Sequence, residues 1–314
     1  MIAGTGRSGT TWVQDAIAGA NGLRTVFEPL HPIGLREAGA FAFRWVEPDA
    51  EWPELEAFMR RVFSGRFLGL WPDLRVRRRS LYDLSKPREI PGEHVRLVKH
   101  GVAYLRERHR PPLVKFIRAN LMLGWLVRRL GARVLLVVRH PGGVIASTLR
   151  LGGANWHHAP RLERYRSEPA LAPWFARVEA LLDGSPSPVV AHAALWCIEN
   201  AIPLEFADRW GVVPVYYEEL LRGDDEAWHR ALSALALDRR PPDEMLAQPS
   251  QQVSPDMRRA RFDAAQAGRW MQQLDARQLA ELEAVLRAFG VRDYRVDDPF
   301  PVARSGGGVG AHGA

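Results

Sequence analysis

A chain of 314 residues that is 46% hydrophobic can bury one large core or two modest ones, and its single cysteine, Cys197, excludes an internal disulfide framework and a cysteine-based zinc site. The formal charge is +7, yet only three of the 43 basic residues are lysines: Lys86, Lys99 and Lys115. So arginine-rich a chain reflects either the codon bias of a GC-rich, bacterial genome or an anionic ligand, since the planar guanidinium grips phosphate and sulfate oxygens.

In chain order, "MIAG" reads as a short buried strand, "TGRSGT" as a turn and "TWVQDAIAGA" as a helix with Trp12, Val13, Ala16 and Ile17 on one face. "RTVFEPLHP" is a second short strand that stops before Pro29. Residues 52–72 form an amphipathic helical stretch that clusters Leu55, Phe58, Met59, Val62 and Phe63. "PLVKF" (112–116) is a strand, followed by a helix closed by Gly131. "ARVLLVVRHP" (132–141) is a continuous apolar, β-branched run, the pattern of a central parallel strand. "GGVIASTLRLG" opens a helix, "AALWCIENAIPLEFADRWG" is one long helix that buries Cys197, and "VVPVYYEELL" is a strand entering a helix. A last helix spans 275–289, with an Asp275 N-cap and Gly290 after it. The fold class is α/β, a central parallel sheet flanked by helices. One domain covers 1–301, and the Gly-rich tail 302–314 is expected to be disordered. No apolar run is long enough to span a membrane, and the first motif starts too early to leave room for a signal peptide, so a cytoplasmic location is expected. The brevity of "MIAG" suggests that a few upstream residues are missing.

"GTGRSGTTW", Gly4 to Trp12, has the outline of a phosphate loop: glycine, four residues, glycine, then two hydroxyls. Strand, turn and helix N-terminus together form an anion site in which backbone N–H groups and the helix dipole converge. The place of the usual lysine is taken by Thr10, and a basic residue stands earlier, at Arg7. Without that lysine, γ-phosphate chemistry is disfavoured. A terminal sulfuryl group, with about one negative charge, suits the loop better and needs no obligatory metal. A second anion site lies in "VVRHPGGVIAS". Arg139 ends the central strand, and Ser147 follows eight residues later in the next helix, where both can meet one anion. Two such sites at neighbouring strand ends imply a nucleotide phosphorylated at both ends.

The pair "GTGRSGTTW" and "VVRHPGGVIAS" resembles the cofactor motifs of the sulfotransferases that use 3′-phosphoadenosine 5′-phosphosulfate (PAPS), and "LVKFIRANL", "AALWCIEN", "VYYEELL" and "AGRWMQQL" follow in the family's order. The likeness runs over roughly residues 1–290 and is loose between Leu30 and Arg110. It implies a P-loop, nucleotide-kinase-like fold. It assigns the 5′-phosphosulfate to the run Gly6, Arg7, Ser8, Gly9, Thr10, Thr11 and Trp12, with Arg7 neutralising the bridging oxygen. It gives the 3′-phosphate to Arg139 and Ser147, with Arg150 as an assistant of less fitting spacing, and places Tyr217 near the nucleotide. Glu218 and Glu219 read as helix-opening carboxylates. Gly268, Arg269 and Trp270 align with a family loop over the 3′-phosphate, but its preceding basic-glycine element is absent. Arg258, Arg259 or Arg261 is the substitute; the other reading is a helix start with Trp270 in the core.

In the cytosolic branch the catalytic base is a histidine two residues after a strand lysine. Here that lysine aligns with Lys115, and two residues on stands Ile117, which has no proton to exchange. The carbohydrate and protein-tyrosine branches instead use a glutamate shortly after the first helix, which points to Glu28 as general base, with His31 and His100 next in line. The other reading of Glu28 is an exposed loop carboxylate. Lys115 matches a family lysine that reaches the transferred group. Replacing Arg7 or Glu28 by alanine is expected to abolish transfer with folding retained. The acceptor, a hydroxyl of a glycan, glycolipid or other metabolite, is expected between Leu30 and Arg110 and in parts of 152–190. The stretch 52–72 suits core packing, a lid, or peripheral contact with a lipid surface. The rival is a nucleotide or small-molecule kinase, which predicts a GK[ST] lysine and a magnesium carboxylate that are not evident. No nucleic-acid-binding motif stands out.

Overall fold

The computed structural model describes residues 1–31, 37–64, 109–151, 158–248 and 264–302. Helices of eight or more residues are numbered α1 (Thr10–Asn21), α2 (Pro53–Phe63), α3 (Leu123–Leu130), α4 (Pro141–Arg150), α5 (His158–Arg166), α6 (Ala172–Leu182), α7 (Pro188–Trp196), α8 (Asp225–Ala234) and α9 (Ala276–Phe289). The expectations for His100, for Arg258, Arg259 and Arg261, for 65–72 and for 303–314 lie outside the described residues.

Five parallel strands form one sheet in the order β2-β3-β1-β4-β5, with β1 (Ile2–Gly4), β2 (Arg24–Phe27), β3 (Pro112–Phe116), β4 (Val134–Val138) and β5 (Val212–Tyr216). The run "VLLVV" is buried throughout because both faces of β4 are covered. Side chains alternate across a strand. Val134, Leu136 and Val138 therefore join the layer of Trp125, Trp196 and Phe289, while Leu135 and Val137 join that of Val13, Ile17 and Trp228. The result is a sheet between two apolar layers, with α1 and α8 on one side and α3, α7 and α9 on the other.

After β1 the chain moves toward β3 and β2; after β3 it crosses to β4 and β5. The connections thus diverge between β1 and β4, which pair directly from Ile2↔Leu135 to Gly4↔Val137. A crevice opens beyond the carboxyl ends at such a reversal, and this one carries the turn after Gly4 and the residue after Val138.

The single long helix expected over Ala193–Gly211 is segmented. Helix α7 begins earlier, at Pro188 with Ser187 as N-cap, passes through a π turn at Cys197–Ala201 that buries Cys197, and continues as Ile202–Glu205 and Ala207–Trp210. Pro203 has no N–H to give the Glu199 carbonyl, and Asn120 Nδ2 donates to that carbonyl instead, at 2.7 Å. Helix α2 turns Leu55, Phe58, Met59 and Val62 into the core, so the apolar face of 53–63 is covered by protein. Among the described residues no helix is long and apolar enough to cross a membrane.

Candidate anion site and the cleft beside it

The loop after β1 is closed by one residue. Ser8 donates both its N–H (3.2 Å) and its Oγ–H (2.7 Å) to the Thr5 carbonyl. Its hydroxyl, expected to be a ligand, is thus spent inside the turn. Arg7 and Gly9 hold positive φ, 71° and 83°. At Gly9 the requirement is double, because a Cβ there would also lie 2.3 Å from the Tyr217 ring. Helix α1 starts at Thr10 with no capping side chain and no acidic residue in its first turn. Its first N–H groups precede the bond from Val13 N–H to the Gly9 carbonyl and remain open to a ligand.

The two anion motifs meet. Arg139 Nη1 donates to the Arg7 carbonyl at 2.9 Å, and Arg7 Nε donates to Ser147 Oγ at 2.9 Å. Ser147, expected to work with Arg139, is the direct partner of Arg7 and ties the loop to α4. The Arg139 guanidinium lies 4.8 Å from the Tyr217 ring centroid, and Trp196 Nε1 donates to the Arg139 carbonyl at 3.0 Å. Burial, then the charges of Arg139 and Arg150, pull the Arg7 guanidinium down to about 10; Tyr217 opposes them, and among the described residues no carboxylate acts on it. The acid that acts on Arg139 is Glu218, whose oxygens accept from His140 N–H (2.9 Å) and Tyr294 Oη–H (2.8 Å). Glu218 is therefore more than a helix-opening carboxylate: it is buried and pins the end of β4 to residue 294.

Trp12 and Trp270 are both buried. Trp12 is 4% exposed, packs edge-on against Tyr217 and Trp228, and donates to the Leu246 carbonyl. Trp270 is 3% exposed and stacks on His140, with ring centroids 4.2 Å apart. Both rings pack in the core, because helical and 3₁₀ geometry turns them inward; for Trp270 this is the second of its two readings. Trp270 lies in the short turn Arg269–Gln272, ahead of α9, and Gly268 packs near Pro299; neither Gly268 nor Arg269 is joined to Arg139 by a hydrogen bond among the described residues.

Glu28 is neither exposed nor solvated. It is 3% exposed, holds φ 49°, and lies between Lys115 Nζ, 3.1 Å from Oε1, and Arg118 Nη1, 2.9 Å from Oε2. Alternation in β3 sends Lys115 to the face opposite Val114 and Phe116, where its ammonium also sits 3.8 Å from the Phe27 ring centroid. Burial lowers the Lys115 ammonium from its ordinary value, and the Glu28 carboxylate opposes that. Arg118 was not foreseen; its signal was a cation inside the apolar stretch "LVKFIRANL". Glu28 lies at the same sheet edge as Arg7, but β2 is two strands from β1. No hydrogen bond or ion pair joins the Glu28 triad to Arg7 or Arg139 among the described residues. His31 is pulled down to about 4 by burial and Arg118.

Against the loop opens a small cavity of about 20 Å³, lined by Thr5, Gly6, Thr148, Arg161, His192 and Glu199 among others. Glu199 Oε1 accepts from Tyr165 Oη–H at 2.9 Å and faces Arg161 Nη1 at 3.3 Å. Burial raises the Glu199 carboxyl and, with His158 and Arg161, pulls His192 down to about 4. Arg161 and Tyr165 fall in the stretch 152–190 expected to bear on the acceptor and Glu199 in "AALWCIEN", but their pairing was not foreseen, because it joins separate helices.

No protein-family model, curated protein or solved structure matches the chain.

Proposed function

We propose that the protein transfers a sulfuryl group from PAPS to a hydroxyl of an acceptor, a glycan, glycolipid or other small metabolite, on a P-loop-like sulfotransferase framework. The observation that supports this is the junction of Arg7 and Arg139 at the β1–β4 crevice: the Arg139 guanidinium donates to the Arg7 main-chain carbonyl and its charge acts on the Arg7 guanidinium, with no carboxylate among the described residues acting on Arg7. Burying like charges side by side is costly unless an anion joins them. The uncapped N-terminus of α1 adds the open N–H groups that phosphate and sulfate oxygens need.

The residues fit the donor's two charged ends. Gly6, Arg7, Gly9, Thr10 and Thr11 would hold the 5′-phosphosulfate, and Arg139 with Ser147 the 3′-phosphate, with Tyr217 beside them. Bound there, PAPS supplies the sulfuryl group, whose bond to the 5′-phosphate oxygen breaks as the acceptor oxygen bonds to sulfur. Arg7 neutralises charge on the departing oxygen; losing such a contact costs about 3–4 kcal/mol in rate. Glu28 is the candidate base; to take the hydroxyl proton its carboxylate would have to exchange the Arg118 pairing for the acceptor, with Lys115 on its other oxygen.

Thermal melts test the reading. Adenosine 3′,5′-bisphosphate should raise the midpoint strongly and ATP with magnesium little. The reverse ranking would favour a kinase. In Arg139→Ala the bisphosphate affinity should fall at least tenfold; unchanged affinity would remove the 3′-phosphate role.

A further inference from the structure

One peptide unit beyond β4 is held from both sides by side chains. Its carbonyl, that of Arg139, accepts from Trp196 Nε1 at 3.0 Å, and its N–H, that of His140, donates to Glu218 Oε1 at 2.9 Å. The sheet does not make these bonds, since the β4 pairings end at Gly4↔Val137 and Val138↔Tyr216. A planar peptide with both polar atoms engaged is kept from swivelling, so the direction in which the Arg139 side chain leaves the strand is set. Its guanidinium reaches the Arg7 carbonyl at 2.9 Å and lies 4.8 Å from the ring centroid of Tyr217, the residue before Glu218. Glu218 is anchored in turn. Its Oε2 accepts from Tyr294 Oη–H at 2.8 Å, and the adjacent Asp293 accepts from Tyr216 Oη–H at 2.6 Å. The chain after α9 therefore holds the acid, and the acid holds Arg139.

The use of an acid for this task has a consequence for the anion site. Burial works against a charge on Glu218, and the His140 N–H, Arg139 and Tyr294 work for it. With one oxygen accepting from an N–H and the other from a phenol, the carboxylate is held in its ionised form. A fixed negative charge beside Arg139 offsets part of the attraction that the guanidinium exerts on an anion. A side-chain amide would accept the same N–H without that offset. We infer that Glu218 is the positioning residue of Arg139 and that its charge moderates the grip on a bound phosphate and so speeds its release. This rests on Arg139 as an anion ligand; that the anion belongs to a nucleotide rests on the sulfuryl-transfer reading.

The test is calorimetry on the full chain with adenosine 3′,5′-bisphosphate and, separately, inorganic pyrophosphate, with release timed by stopped flow and melts recorded for each variant. Glu218→Gln keeps an oxygen for the His140 N–H and removes the charge. It should bind the bisphosphate about three- to tenfold more tightly, chiefly through slower release, while melting at or below the parent's midpoint. Tyr294→Phe keeps the charge and removes one of its anchors, and should bind about two- to fivefold more weakly. Glu218→Met, which removes charge and acceptor together, should bind at least threefold more weakly than Glu218→Gln; if it does not fold, Tyr294→Phe carries the positional arm. A merely structural role would lower the melting midpoints and leave the affinities level. Binding by Glu218→Gln no tighter than the parent's, or Tyr294→Phe binding as the parent does, would overturn the inference. The same order of variants with pyrophosphate, where the bisphosphate fails to bind, would support the inference and remove the sulfuryl-transfer reading. A parent that binds neither anion would overturn both.

Discussion

Lys115 shows how a charge comes to rest in the middle of a buried strand. Its ammonium has lost nearly all water, and Glu28 at 3.1 Å replaces it. Removing one member of a buried ionic group strands the rest, typically at about 3–5 kcal/mol. Glu28→Ala, which leaves Lys115 and Arg118 both uncompensated, should therefore lower unfolding free energy by about that much, contrary to the expectation of retained stability. Lost activity in that variant would not by itself identify a base. Glu28→Gln with Lys115→Met, which removes one charge of each sign, should recover much of the loss in urea titrations. Additive losses would mean the pair is not coupled. His140 carries a different kind of constraint. Its Nδ1 accepts Gly142 N–H at 3.0 Å while Nε2 faces the Arg295 carbonyl at 2.9 Å, an arrangement only the neutral ring satisfies. Burial, with Arg139, holds it down to about 4. As pH falls from about 6.5 toward 4, the unfolded chain takes up a proton that the folded chain refuses, so stability declines across that window and is intact above it. His31 and His192, also near 4, act in the same direction. His140→Asn puts a capping oxygen in place of Nδ1 and should flatten the pH dependence of the unfolding free energy from urea titrations, by as much as ~1.4 kcal/mol per pH unit. An unchanged slope would place the titration elsewhere.

Helix α4 is where the two anion motifs are joined, and its start is fixed from two sides. Trp270 lies so close that a Cβ at Gly142 would come within 2.4 Å of its ring, and on the other side a Cβ at Gly143 would be 3.1 Å from Arg139 Nε. Gly142→Ala should cost about 1–3 kcal/mol by overpacking, and less in a Trp270→Leu background; equal costs in both backgrounds would show that the ring is not the obstacle. That contact was illegible in the sequence, since 128 residues separate the partners. What could be read were features with a local cause. Continuous burial wrote itself into "VLLVV", the start of α9 into Asp275, and the turn into its glycines; that Gln278 completes a capping box there came from the structure. What could not be read depended on register and on distant chain. The pairing Phe27↔Lys115 carries Glu28 to Lys115 and Arg118, and Ser147 reaches Arg7 only once α4 is laid against the loop. The helix through Trp196 read as unbroken because its apolar pattern persists across Pro203, and the substitute bond from Asn120 comes from another element.

At the scale of the whole molecule, a sheet whose connections diverge at β1 and β4 gathers positive groups at one rim. The N-terminus of α1, Arg7, Arg139 and Arg150 all converge there, Arg7 and Arg139 half-buried and Arg150 exposed. Such a site is poised for an anion at some cost to the folded chain without one, the trade between stability and function that strained sites commonly show. Arg7 concentrates that cost, since it combines φ 71° with two neighbouring guanidiniums and is held down to about 10 by its surroundings. Arg7→Met keeps the length of the side chain and removes its charge. Its loss of the Ser147 hydrogen bond works against stability; relief of repulsion and of charge burial works for it, and the second effect should prevail because the bond reaches a neutral hydroxyl. The ligand-free variant should therefore melt at or a few degrees above the parent, while the stabilisation that adenosine 3′,5′-bisphosphate gives the parent should largely vanish. Added salt should raise the parent's midpoint more than the variant's, since screening relieves only the parent's repulsion. A ligand-free Arg7→Met protein that melts well below the parent would show that Arg7 is chiefly a brace between the loop and α4, and the anion-site reading would lose its central residue.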